Sequence, residues 1–240
     1  MNRYVFRFTK QGYMRFISHL DLARLFKRCL KRIGVELAYS EGYNPHEKIN
    51  IVQPLSLGFE TSGDYFEMET VKPYDPEGLR TDMNSVLPEG LSFDLALEFP
   101  KENKNLSARV EWASYLITIP SCKAENLPID AFLAQERILI SKRDKKTKSD
   151  VFKDLKDMIY SFVVRDEEEG AAIDCVLKCA SNVTLNPMNL TAAFLAFAGL
   201  DVPKETIRVK RTGMYYAEEG RLVPLSELPA NKAELSGVPR

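Results

Sequence analysis

Histidine is scarce in this chain of 240 residues, which contains only His19 and His46. Cysteine is scarce too, and its four residues form no CxxC pair of the kind that binds zinc or carries redox chemistry. The sequence also contains no P-loop, no GxGxxG after a strand, no GxSxG and no HExxH. These absences argue against the best-known nucleotide-binding, serine-hydrolase and zinc-protease sites, and we expect neither a metal site nor a cofactor.

Long apolar runs are missing as well. No stretch reaches the length of a membrane-spanning helix, and the N-terminal MNRYVFRFTK lacks the continuous apolar segment of a secretory signal. We therefore expect a cytoplasmic protein with reduced thiols and no membrane partner. Cys175 and Cys179 lie four positions apart in an apolar strand pattern, which indicates packing thiols.

The hydrophobic pattern predicts an α+β fold of two tandem ferredoxin-like units, each with the element order βαββαβ and an antiparallel sheet. We predict an N-terminal domain over residues 1–102, a C-terminal domain over residues 108–216 and a peripheral tail over residues 217–240. In the first domain, strands are expected at 4–10, 35–40, 64–71 and 91–99, with a helix from Pro76. Residues 12–17 either continue the first strand or lead into the first helix.

The first helix is the clearest element of the sequence. Ser18 and Asp21 have the spacing of a capping box, and Gly34 is placed to end the helix. The apolar positions follow the spacing of a buried helical face: Leu22, Leu25, Phe26, Cys29, Leu30 and Ile33. Five cations occupy the other side: Arg24, Lys27, Arg28, Lys31 and Arg32.

The near-neutral net charge of −1 conceals an uneven distribution of charge. Residues 1–60 hold ten Lys and Arg against five Asp and Glu, whereas residues 61–100 hold two against nine. A basic segment of this kind suits an anionic partner such as a nucleic acid. The basic helix face is either a ligand-binding surface or the solvated side that any amphipathic helix must have.

His19 lies in the first turn of this helix, where free N–H groups and partial positive charge favour phosphate or carboxylate. His46 lies in the segment GYNPHEKI, where Asn44 and Pro45 restrict the backbone. Tyr43 could stack on a base, while His46 and Lys48 reach a phosphate. The alternative is a surface loop whose aromatic ring packs on its own domain.

Two further interpretations stay open. Alternation along residues 207–216 puts Arg208, Lys210 and Thr212 on one face, which is either a nucleic-acid platform or an ordinary exposed sheet face. The sequence leaves open whether His19 and His46 converge. If they do, the pair could act as general acid and base, and the binding hypothesis likewise requires both rings to face one cationic hollow.

The stretches FISHLDLARLFKRCLKR and AYSEGYNPHEKINIVQPLSLG resemble a family of bacterial proteins named radical SAM-linked or radical SAM-associated. The matching positions are Ser18, His19, Leu20, Asp21, Arg24, Tyr39, Ser40, Gly42, Asn44, Pro45, His46, Lys48, Pro54, Leu55, Leu57 and Gly58. The family pattern has phenylalanine where Tyr43 stands and often proline where Glu47 stands. The tandem fold is also distantly similar to the CRISPR RNA endonucleases built from two ferredoxin-like units.

The resemblance implies a protein that works beside a radical SAM enzyme of the cobalamin-binding type without carrying its CxxxCxxC cluster motif. The hypothesis is a non-catalytic, accessory protein that binds RNA or another anionic substrate. The expected contact residues are Ser18, His19, Asp21, Arg24, Arg28, Tyr39, Tyr43, Asn44, His46 and Lys48. The alternatives are a metal-independent endoribonuclease using His19 and His46, and a protein–protein adaptor without nucleic acid.

Overall fold

Two compact units make up the chain in a computed structural model that describes residues 1–100, 105–120, 122–143, 150–168 and 170–227. Unit 1 contains Met1–Val110 together with the described residues from Arg211 onwards, and unit 2 is Glu111–Lys210. The predicted second domain instead included residues 211–216. These residues group with unit 1 because the side chain of Arg211 binds Asp64 and the carbonyl oxygen of Gln53.

The sheet of unit 1 has the order β4-β1-β3, with every pair antiparallel, and β2 also pairs with β3. Its elements, in chain order, are β1 (Asn2–Lys10), α1 (His19–Arg32), β2 (Ile49–Ile51), β3 (Glu60–Thr70), α2 (Pro76–Val86), β4 (Leu91–Glu98) and α3 (Leu106–Arg109). After the second unit, β10 (Arg208–Glu218) and β11 (Arg221–Pro224) form an antiparallel hairpin.

The core of unit 1 lies between the sheet and the two helices α1 and α2, as the alternation of apolar residues predicts. Aromatic rings dominate it, and their centroids are 5.0 to 6.1 Å apart. These rings belong to Phe6, Phe8, Phe26, Phe66 and Phe93. Phe26 from α1 contacts rings from all three strands, so the apolar face of α1 fixes the position of the helix on the sheet.

Two segments of unit 1, residues 12–16 and 35–40, decide or correct the secondary structure that the sequence predicts. Residues 35–40 do not form a continuous strand, because only Leu37 and Tyr39 make isolated bridges, to Thr70 and Glu47. Residues 12–16 form a 3-10 turn rather than a continuation of β1. The described part of the predicted tail contains β11 and the buried Leu225, and the remainder of that tail, 228–240, lies outside the described residues.

Unit 2 has an antiparallel sheet with the order β5-β9-β8 and a separate β6–β7 hairpin. Its elements are β5 (Trp112–Pro120), α4 (Ile129–Ala134), β6 (Leu139–Arg143), β7 (Asp150–Asp154), β8 (Ile159–Glu167), β9 (Gly170–Lys178) and α5 (Pro187–Phe197). The rings of Phe132, Phe162 and Phe194 pack against one another in its core, in tilted and edge-to-face contacts.

The predicted α+β class with mostly antiparallel sheet is confirmed. The division into two ferredoxin-like units stays a prediction. No helix among the described residues is long and apolar enough to cross a membrane.

Candidate nucleic-acid interface

The start of α1 carries the predicted capping arrangement. The hydroxyl of Ser18 accepts a hydrogen bond from the backbone N–H of Asp21 at 3.1 Å and lies 2.7 Å from the Asp21 carboxylate. That carboxylate also accepts a hydrogen bond from Arg24 at 2.8 Å. Ser18 and Asp21 therefore stabilise the helix terminus, while Arg24 remains exposed beside them.

His19 is half-buried on the side of α1 that faces the sheet. Burial lowers the pKa of its imidazole, and the positive charge of Arg211 lowers this pKa further, against a smaller opposing effect of Asp64. Because the ordinary histidine pKa is already below 7, His19 is a neutral ring at neutral pH.

Next to His19 lies a buried polar cluster, formed by Lys10, Thr61, Asp64 and Arg211. Two nitrogens of Arg211 bind the two oxygens of Asp64 at 2.6 Å each, and each of these two residues is 1% exposed. The hydroxyl of Thr61 donates to the same carboxylate at 2.6 Å. Lys10 is 3% exposed, and desolvation by burial lowers the pKa of its ammonium group.

This buried polar cluster was not predicted from the sequence. The alternation along 207–216 draws attention to Arg208, Lys210 and Thr212, and Arg211 points to the opposite, buried side. The available signal was Asp64 itself, which the predicted alternating strand 64–71 puts on the same face as Phe66 and Met68, because a charge on a buried face requires a partner.

His46 belongs to a tight turn that Ser40 closes. The Ser40 hydroxyl lies 2.9 Å from Nδ1 of His46 and accepts the His46 backbone N–H at 3.1 Å, while the Ser40 N–H donates to the His46 carbonyl oxygen at 2.9 Å. Gly42 in this turn has a φ of 117°, a backbone conformation that residues other than glycine rarely adopt. Tyr43 and Asn44 are exposed at the tip of the turn, and the Tyr43 ring is fully accessible to solvent.

Glu47 attaches this turn to the basic face of α1. Its two carboxylate oxygens bind Lys27 and Lys31, each at 3.1 Å. We call the combination of the five α1 cations and residues 39–48 the α1–loop surface. The structure thus attaches the turn to Lys27 and Lys31 of α1, on the side of the helix that also carries the predicted contacts Arg24 and Arg28. The last predicted contact, Lys48, binds Glu69 at 3.0 Å.

The pKa of Glu47 is lowered from 4.5 to about 2, first by a hydrogen bond with its own backbone and then by Lys27 and Lys31. A carboxylate with a depressed pKa stabilises the folded state above its unfolded pKa, and this contribution is lost as pH falls towards 2. Replacing Glu47 by glutamine should therefore lower the free energy of unfolding at pH 7 by about 1–2 kcal/mol. This is less than the full pKa shift would give, because both lysines are partly exposed and water weakens their ion pairs with Glu47. Urea unfolding at pH 7, 4 and 2.5 measures this difference, which should shrink at each step. A difference that is constant with pH would contradict the ion-pair assignment.

The two histidines do not share a site. His19 lies beside Asp64, whereas the backbone leading into the His46 turn is bonded to Glu69, five residues further along β3. Five residues of extended strand span about 17 Å. These positions do not support the common hollow that the binding hypothesis required, because His19 begins α1 whereas Glu47, next to His46, binds Lys27 and Lys31 further along the helix.

The described residues contain no group of three His, Cys, Asp or Glu side chains arranged to hold a metal ion. Cys175 and Cys179 are both buried, and desolvation raises the pKa of the Cys175 thiol to about 12. A thiol with this pKa stays protonated at neutral pH and packs as an apolar group.

A family model described as "Uncharacterized protein conserved in bacteria (DUF2344)" matches residues 3–187. The chain belongs to this family. No curated protein matches the chain. Among solved structures, a similar chain occurs in a Cbf5-Nop10-Gar1 complex, with 12% sequence identity and a TM-score of 0.49. The matched region covers 94% of this chain and 53% of the chain in that complex, so this chain spans about half the length of its structural neighbour.

Proposed function

We propose that this DUF2344 protein binds RNA, or another polyanion of the same chemistry, through the α1–loop surface. The observation that carries the proposal is the attachment of the exposed Tyr43 turn to the cationic face of α1 through Glu47. Cations that attract phosphates and an accessible ring that can stack on a base are the two components of sequence-tolerant single-strand binding.

The charge of the surface supports the proposal. Three of its five α1 cations, Arg24, Lys27 and Lys31, contact the two carboxylates of Asp21 and Glu47, so five positive charges face two negative ones, an excess of three. Within the part of the chain that the structure describes, Arg28 and Arg32 form no ion pair. Both side chains are exposed, so they are available to an anion without first leaving an acidic partner.

Tyr43 provides the most direct test. Replacing Tyr43 by alanine should lower affinity for a fluorescein-labelled single-stranded RNA about tenfold, because stacking of one base contributes about 1–3 kcal/mol. Fluorescence anisotropy measures the dissociation constant, and Tyr160→Ala, another exposed tyrosine in unit 2, is the matched control. Equal affinities for the unmodified protein and Tyr43→Ala would contradict the proposed role of the turn.

The endoribonuclease hypothesis is not favoured by the positions of its two candidate residues. General acid–base cleavage needs both groups at the same phosphodiester, whereas His19 lies beside Asp64 and the base of the His46 turn is bonded to Glu69, about 17 Å further along β3. The proposal is therefore binding without cleavage.

An accessory role beside a cobalamin-binding radical SAM enzyme rests on the sequence resemblance of residues 16–58 alone. An adaptor that binds only protein would need an acidic partner for the same cationic face. Affinity purification from the native cell, with identification of both bound protein and bound nucleic acid, distinguishes these two forms of the proposal.

A further inference from the structure

Two exposed aromatic rings precede α1 at the end of the helix opposite the Tyr43 turn. Tyr13 is 94% exposed and Phe16 is 56% exposed. Both belong to the 3-10 turn Gly12–Phe16, in which residues three apart eclipse one another, so the two side chains leave the turn on the same side. The guanidinium of Arg15 lies 4.8 Å from the centroid of the Phe16 ring and adds a cation to the same group.

The backbone that carries these rings is held by neighbouring segments. The N–H of Gly12 donates to the Glu60 carboxylate at 3.1 Å, and the carbonyl oxygen of Arg15 accepts the Gly58 N–H at 2.9 Å. These hydrogen bonds fix the backbone of the turn in the conformation that exposes both rings. Large exposed apolar groups at one place on a surface mark a binding region, and Leu57, 63% exposed, lies next to Gly58 in the same region.

The outward face of α1 connects this region to the Tyr43 turn. Leu20, 65% exposed, is one turn before Arg24, and Arg28 and Arg32 follow at the same spacing. Residues four apart lie on the same side of a helix at steps of about 6 Å, and the 14 residues of α1 span about 21 Å. Stackable rings therefore lie near both ends of a row of cations.

We propose that the ligand of the α1–loop surface is a single strand of nucleic acid that follows α1 from Tyr13 and Phe16 to Tyr43. Its bases stack on the rings at either end, and its phosphates contact the arginines between them. This inference rests on the proposed function and makes it more specific. A stacked strand advances about 3.4 Å per nucleotide, so a helix of about 21 Å corresponds to about six nucleotides.

A single strand fits this surface better than a duplex does. Bases in a duplex stack on each other and leave no face for a protein ring, whereas unpaired bases are free to stack on tyrosine and phenylalanine. A protein ligand with acidic and apolar groups is the competing occupant. The nucleic acid is favoured because cations recur at regular spacing from Arg24 to Arg32, a pattern that a polymer of phosphates can match.

Anisotropy with single-stranded oligonucleotides of 3, 6 and 12 nucleotides, and with a hairpin duplex, tests the inference. The unmodified protein should gain affinity up to about six to eight nucleotides and bind the duplex at least tenfold more weakly. Tyr13→Ala/Phe16→Ala should lower affinity for the 12-mer about 10- to 100-fold, because two stacking contacts are removed. Its matched control is Phe152→Ala/Tyr160→Ala, which removes two exposed rings from unit 2.

Phe16→Leu keeps apolar bulk at the turn and removes only the aromatic ring, so it keeps the test valid if the double variant fails to fold. If Tyr43→Ala weakens RNA binding while Phe16→Leu and the double variant do not, the inference is wrong and the proposed function stands. If the unmodified protein binds no RNA of any length, the proposed function itself is wrong. Equal affinity for the 3-mer and the 12-mer would also overturn the extended path along α1.

Discussion

Replacing Arg211 by methionine is expected to lower the free energy of unfolding by about 3–5 kcal/mol. The guanidinium is fully enclosed and provides three hydrogen bonds, two to the Asp64 carboxylate and one to the carbonyl oxygen of Gln53 at 2.7 Å. Methionine fills a similar volume but removes both guanidinium hydrogen bonds from the buried Asp64 carboxylate, to which the Thr61 hydroxyl still donates. An uncompensated buried charge is among the most destabilising changes a single substitution can make.

Urea unfolding of three variants measures this effect. Arg211→Met/Asp64→Leu should recover most of the lost stability, because removing both charges removes the desolvation penalty together with the attraction. Arg165→Met is the matched control: it disrupts an exposed pair with Asp174 and should cost at most about 1 kcal/mol. If Arg211→Met and Arg165→Met were equally stable, the buried pair would not hold β10 to unit 1.

Reversing two charges on α1, with Arg24→Glu/Arg28→Glu, is expected to lower affinity for single-stranded RNA by about three orders of magnitude at low salt. Each reversal replaces an attraction to phosphate by a repulsion, and one such exposed contact contributes about 1 kcal/mol in water. Both side chains are exposed and lie outside the apolar core, so the helix should remain folded.

The control for this variant has to change the total charge of the protein by the same amount. Arg137→Glu/Arg165→Glu does so with two exposed arginines of unit 2. The control should bind RNA within about threefold of the unmodified protein, because its charges are distant in sequence from α1 and screened by salt. Equal losses in both double variants would indicate a response to net charge and contradict a site on α1.

The local features of unit 1 could be predicted from the sequence because they depend on neighbouring residues. Ser18, the apolar spacing and Gly34 predicted α1, and the structure confirms it from His19 to Arg32. Residues 35–40 have the composition of a strand, but tertiary pairing decides whether such a segment extends, and only two bridges form there.

The site depends on contacts between distant residues, which the sequence pattern does not contain. Asp64 and Arg211 are 147 residues apart, so no local spacing indicates that they pair. At the sequence level Glu47 stood out only as a departure from a family pattern that often has proline, whereas its contacts with Lys27 and Lys31 attach the loop to α1. His19 begins α1, whereas Glu47, next to His46, binds Lys27 and Lys31 further along the same helix, and only these tertiary contacts show it.

The salt dependence of RNA affinity tests the central claim most directly, because it counts the phosphates that the protein neutralises. For single strands, the slope of the logarithm of the association constant against the logarithm of salt concentration is about −0.7 per phosphate. With Arg24, Arg28 and Arg32 engaged, we predict a slope of about −2 for the unmodified protein and a slope near −0.7 for Arg24→Glu/Arg28→Glu. A slope near zero, or the same slope in both proteins, would contradict the binding of nucleic acid along α1.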